Sequence, residues 1–120
     1  MGAQMPATDV RAFLGNTFER NSSRRFLITT DGREVTYGQF MDAARGIAAN
    51  LAERGLSAGS RLMIQVENSE NLLALYLACA LSGIVACPID PQLPANRASI
   101  LKSRFSPALL VSEEVLAQLA

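Results

Sequence analysis

The chain has 120 residues, eleven Lys and Arg balanced by eleven Asp and Glu, and no histidine. A neutral chain lacks the field that draws proteins to nucleic acid or anionic lipid, and without histidine the Ser–His and Cys–His nucleophile pairs are excluded. The length bounds one compact unit or part of one. Hydrophobic residues at 49% are rich for that size, so some apolar surface is expected to await a partner.

The N-terminal stretch to Asp9 has no basic region followed by an apolar one, so no signal peptide is expected. Gly2 is not followed by a serine or threonine at the spacing that a myristoylation signal needs. Thr8 or Asp9 can cap a lead helix over about 9–20, whose Val10, Phe13, Leu14 and Phe18 recur at helical spacing. After a polar break at Asn21 to Arg25, a short hairpin over about 26–35 is predicted, with Asp31-Gly32 as a two-residue turn.

From Thr36 onward helices and strands alternate. Thr36 and Gln39 form a capping box, and Tyr37, Phe40, Ala44, Ile47, Ala48 and Leu51 mark one face of a helix that reaches Arg54 and ends at Gly55. Arg61 to Val66 reads as a strand, Ser69 caps the next helix, Gly83 closes it, and Ile84 to Cys87 forms a short strand broken at Pro88. Pro94 fits the first turn of a further helix with Ile100, Leu101 and Phe105 facing inward. Pro107 stops it, Ala108 to Val111 gives a strand, and Ser112 caps a last helical segment.

This alternation predicts an α/β chain: a layered βαβ half-domain over about 36–120 with a mostly parallel sheet, helices on both faces and the short N-terminal hairpin ahead of it. Leu72 to Ile89 is an uncharged run of eighteen residues, enough for about 27 Å of helix. Ser82-Gly83 and Pro88 interrupt it, so a buried helix, a turn and a strand are expected in place of a membrane span. The helix over Leu72 to Leu81 is apolar all round, which suits packing between layers.

Residues that carry chemistry are few. Cys79 and Cys87 have no metal-ligand spacing and read as reduced thiols of a cytoplasmic protein, and Ser82 and Cys87 read as packing residues. The turn after Val66 is Glu67-Asn68-Ser69-Glu70, with no glycine to let backbone amides close round a phosphate. Glu67 and Glu70, like Glu113 and Glu114, sit near helix starts, where the dipole stabilises a carboxylate without a catalytic role. Arg24-Arg25 reads as a solvated loop. Asp90 follows a strand at its carboxyl end, where open α/β sheets place ligands, yet an Asx turn before Pro91 with Arg97 as ion-pair partner is the expected role. No catalytic, cofactor-binding or metal-ligating residue is assigned.

Val35-Thr36-Tyr37-Gly38-Gln39-Phe40 is similar to the first core motif of nonribosomal peptide synthetase adenylation domains and acyl-CoA synthetases. Ala80-Leu81-Ser82-Gly83 through Cys87-Pro88-Ile89-Asp90-Pro91 resembles the second, with Leu81 where the family has lysine. Gly55-Leu56, Gly59-Ser60-Arg61 and Asn68-Ser69-Glu70 fall between them in the family's order. The resemblance covers about Phe13 to Leu119. It implies an incomplete N-terminal subdomain of the acyl-adenylate-forming fold over 1–120, part of a ligase that uses ATP and Mg²⁺ to activate a carboxylate and passes it to coenzyme A or a carrier protein's pantetheine. In that family Thr36, Tyr37, Gly83, Pro88 and Asp90 belong to the scaffold, and the phosphate loop, adenine motif and catalytic lysine lie in segments not matched here. The resemblance therefore implies an inactive portion that binds no cofactor itself. Its partner would be the remainder of the enzyme, or another copy met through exposed apolar surface. A stand-alone, non-catalytic partner-binding remnant is the alternative.

Overall fold

The computed structural model describes residues 7–120, with side chains from Arg11 onward; Gly2 and the rest of the segment before Ala7 lie outside the described residues. Two compact units divide the chain, residues 1–42 and 43–120.

In the first unit, α1 (Ala7–Arg20) precedes an antiparallel pair of strands, β1 (Arg25–Ile28) and β2 (Glu34–Thr36). Thr8 and Asp9 fall inside α1 and their side chains lie outside the described residues, so they do not stand ahead of the helix as its caps. The expected apolar stripe holds only toward the helix end: Phe18 is buried, Leu14 half-buried and Phe13 exposed. The cause is the position of the aromatic core. Phe18, Phe26, Tyr37 and Phe40 gather with ring centroids 4.6–6.2 Å apart, and α1 meets them through Phe18.

The hairpin turn differs from the two-residue form. Gly32 alone of the pair takes a positive φ, +86°, and Thr29 pairs with Arg33 through a backbone N–H···O bond of 2.8 Å, leaving a three-residue connection. Thr29 explains the choice, because its hydroxyl bonds the Asp31 carboxylate and accepts the Arg33 N–H at 3.0 Å. That hydroxyl is the main reason Asp31 titrates below the usual carboxylate range. Arg25 lies in β1 and pairs with Glu34 at 2.9 Å, where a solvated loop was expected. Both side chains are more than half exposed, so the pair adds little stability.

Helix α2 (Tyr37–Glu53) opens on the expected capping box: Gln39 N–H donates to Thr36 Oγ1 at 3.1 Å and Thr36 N–H to Gln39 Oε1 at 2.9 Å. Gly38 has a packing reason to be glycine. Its N–H donates to Ser22 O at 2.9 Å, and a Cβ there would stand 3.1 Å from that oxygen.

The second unit holds the remainder of α2 and a three-stranded parallel sheet in the order β4-β3-β5. Its strands are β3 (Arg61–Ile64), β4 (Val85–Pro88) and β5 (Leu109–Val111), joined by α3 (Glu70–Ser82) and α4 (Ala95–Phe105) and followed by α5 (Glu113–Leu119). Leu62, Met63 and Ile64 are each at most 1% exposed. Successive strand side chains point to opposite faces, so the central strand is covered on both. The two crossovers run in opposite directions over the sheet, and right-handed connections then place α3 and α4 on opposite faces.

The uncharged run over Leu72 to Ile89 resolves into α3, a left-handed Gly83 at φ +70° and β4. Among the described residues no helix is long and apolar enough to cross a membrane. Pro88 ends β4 opposite Ile64 without breaking the ladder, since Ile89 N–H still reaches Ile64 O at 2.8 Å. An edge strand tolerates such a proline.

Two burial expectations are corrected. Helix α3 is not enclosed all round: Leu72, Ala74, Leu75, Ala78 and Cys79 are buried, while Leu73 is 48% exposed. Helix α4 buries none of its residues, and Ile100 and Leu101 are exposed where they were expected inside. Its half-buried positions are Ala98 and Phe105, two helical turns apart, with the Arg61 guanidinium 5.7 Å from the Phe105 ring centroid. At about 100° per residue, Ile100 stands on nearly the opposite side of the helix from Ala98.

Candidate functional site

Strand order 2-1-3, here β4-β3-β5, puts the topological switch point of the sheet between β3 and β5, and open α/β sheets bind ligands beyond their carboxyl ends at such a point. The residues that follow the three strands meet there. Gln65 N–H continues the ladder to Val111 O at 2.9 Å. Beyond it, Glu67 N–H donates to Glu113 Oε2 at 2.7 Å, so a carboxylate of this chain already occupies the backbone donor that an anion would seek.

Beside the switch point, a cleft of about 330 Å³ opens between the ends of β3 and β4. Ile64, Val66, Leu72 and Ile89 are among its apolar walls, and Glu67, Asn68, Asp90 and Gln92 supply its polar groups. Asp90 makes the expected Asx turn, Oδ1 accepting the Gln92 N–H at 2.8 Å, while its carbonyl accepts from Leu93 N–H at 3.0 Å and Gln65 Nε2 at 3.3 Å. The expected pairing with Arg97 is absent: among the described residues Arg97 makes no ion pair with Asp90, and it lies exposed at the start of α4. Gln92 Nε2 instead reaches Glu67 Oε1 at 3.1 Å.

The structure thus joins Glu113 to Glu67 directly, Glu67 to Asp90 through Gln92, and braces Asp90 with Gln65, Gln65 and Gln92 being residues to which the sequence assigned no role. The signal available for them was slight: each is a polar residue directly after a strand or turn. Glu70 and Glu114 stay in the first turns of α3 and α5, where Ser69 Oγ accepts the Leu72 N–H at 3.1 Å and Ser112 Oγ the Val115 N–H at 3.2 Å.

These contacts do not suit a nucleotide triphosphate. The β3–α3 connection has no glycine, its Glu67 donor is taken by Glu113, and the groups facing the cleft are carboxylates and amides that would repel or ignore phosphate. A divalent cation finds no ligand set either, since among the described residues no group of three or more His, Cys, Asp or Glu is gathered closely enough. The thiols stand apart from this edge in chemistry. Burial pushes the Cys79 thiol up to about 11, which keeps it protonated and unreactive, and Cys87 is half-buried in β4.

Comparison with known proteins fits this scaffold. The model of the AMP-binding enzyme family matches residues 14–120. An isonitrile lipopeptide synthase of Streptomyces coeruleorubidus is 31% identical over 113 residues, covering 92% of this chain and 8% of that protein. A p-hydroxybenzoic acid–AMP ligase of Mycobacterium tuberculosis is 34% identical over 82 residues, 68% of this chain and 12% of its own length. The chain therefore spans about a tenth of the length of these two curated relatives. Among solved structures, the Klebsiella oxytoca NpsA N-terminal subdomain in complex with 3-hydroxybenzoyl-AMSN superposes with a TM-score of 0.80 at 26% identity, over 88% of this chain and 26% of that one. With the parallel sheet, the core motifs and the family match in agreement, this chain belongs to the AMP-binding enzyme family.

Proposed function

We propose that this chain is the N-terminal scaffold portion of an ATP-dependent, acyl-adenylate-forming synthetase or ligase, a single incomplete subdomain over 1–120 that is not catalytic by itself. The observation that carries the reading is the state of the sheet's carboxyl edge. The place where this fold would receive a ligand is filled by the chain's own Glu113 on Glu67 N–H. Gln65 and Gln92 donate to Asp90 and Glu67 and so cross-brace the strand ends, which makes the edge architecture. ATP, Mg²⁺ and the coenzyme A or pantetheine acceptor then belong to residues elsewhere in such an enzyme, and Thr36, Tyr37, Gly83, Pro88 and Asp90 act as scaffold. No residue of this chain is assigned a catalytic, cofactor or metal role. Reduced thiols and the absence, among the described residues, of a helix able to span a membrane support a cytoplasmic setting.

The test is ATP–pyrophosphate exchange with a panel of carboxylic acids. The chain alone is expected to show none, and mixing it with the remainder of a relative's adenylating enzyme is expected to restore exchange. Turnover by the chain alone would overturn the reading. A second reading, a stand-alone non-catalytic module, is favoured by the exposed apolar side chains Leu73, Val85, Ile100 and Leu101. It predicts a defined assembly by light scattering and no restoration of exchange.

A further inference from the structure

Helix α4 combines three features on the outside of the second unit. It carries Arg97, Lys102 and Arg104 and no carboxylate, in a chain whose net charge is zero. Among the described residues none of these three cations makes an ion pair. Its exposed residues Arg97, Ile100, Leu101 and Arg104 fall at i, i+3, i+4 and i+7, so two apolar side chains lie between two guanidinium groups on one outward face. That spacing is the one by which a helix presents anchors to a groove or to another helix.

We propose that this face of α4 is a docking surface for an acidic amphipathic helix of a partner protein. Charge complementarity selects the partner: carboxylates flanking an apolar stripe meet Arg97 and Arg104 bidentately while the stripe covers Ile100 and Leu101. A membrane fits less well. The outward face has no aromatic anchor, since Phe105 turns toward Arg61, and the helix is fixed at its ends by the Asp90 turn and by Ala108 N–H on Arg61 O at 2.8 Å, so it cannot roll into a bilayer. Homotypic pairing of two such faces would bring four guanidinium groups together.

The inference does not rest on the acyl-activation reading, which pyrophosphate exchange tests separately. The full chain is titrated with a labelled synthetic helical peptide whose leucines at i, i+3, i+4 and i+7 are flanked by glutamates. The same peptide with lysines, and vesicles of phosphatidylglycerol, are titrated in parallel. The acidic peptide is expected to bind saturably, at micromolar concentration, and more weakly as salt rises. The double variant Arg97→Glu/Arg104→Glu is expected to lower its affinity by about tenfold or more, and Ile100→Ala by severalfold. Circular dichroism checks that each variant keeps its helix content, and the milder Arg97→Gln/Arg104→Gln replaces any that does not. Equal binding of both peptides, unchanged affinity in the variants, vesicle binding without peptide binding, or a dimer that the charge reversal dissolves would each overturn the proposal.

Discussion

Helices α3 and α4 flank the same strand, β4, and are held in opposite ways. Helix α3 starts on a bonded Ser69 cap, ends on a left-handed glycine and buries five side chains. Helix α4 starts after Pro94 with no side-chain cap, ends on Ser106 at φ +50° and buries none. Isolated helices of this length are marginal in water, so the contrast makes α3 a part of the second unit's core, with the buried residues of α2, β3 and α5, and leaves α4 as a surface element. The family motifs follow the same division, running through the end of α3 and through β4 and stopping where α4 begins.

The sharpest way to break this comparison is to truncate one apolar side chain in each helix. Leu75→Ala in α3 is expected to cost about 2–5 kcal/mol in denaturant unfolding, and Ile100→Ala in α4 less than about 0.5 kcal/mol. Equal costs would erase the distinction.

A pH titration of stability probes the same buried face. The Cys79 thiol is raised from its ordinary 9.0 to about 11 by burial, so the folded state holds a proton that the unfolded chain releases. Its contribution is whole below pH 9 and is lost as pH rises toward 11, and Cys79→Ala should flatten that alkaline decline. With a thiol reagent at neutral pH, Cys87 should react first and Cys79 only on unfolding.

Smaller effects sit at the helix ends. Ser69→Ala and Gly83→Ala are each expected to cost about 1 kcal/mol, the first by removing the bond to Leu72 N–H and the second by forcing a Cβ into the left-handed region. The opposite sign is expected at α4: Ser106→Gly should stabilise by about 0.5–1 kcal/mol, since the left-handed position then carries no Cβ. Thermal melts of the three variants check both signs. Amide hydrogen exchange supplies the finest test, with α4 expected to exchange at a lower free energy than α3.

The features legible in the sequence were those closed within a few residues. The Thr36–Gln39 capping box, the Ser69 and Ser112 caps, the glycine ends of α2 and α3 and the Asp90 turn each join groups at most four positions apart, and each forms as its spacing implies. Chemistry that local also carries the family motifs. The hairpin shows the limit of such reading: Asp31-Gly32 permits a two-residue turn, but the hydroxyl of Thr29, just past the end of β1, selects the longer one.

Other properties rest on pairings between remote residues. Which side of α4 faces inward follows from where β3 sets Arg61 against Phe105, a contact that hydrophobic spacing does not encode. The same holds for Glu113 on Glu67 N–H, 46 positions apart, and for Asn50 Nδ2 on Leu119 O, 69 apart. Periodicity names the residues able to be buried; the sheet order β4-β3-β5 selects which of them are, because burial and long-range hydrogen bonds exist only once the chain has closed on itself.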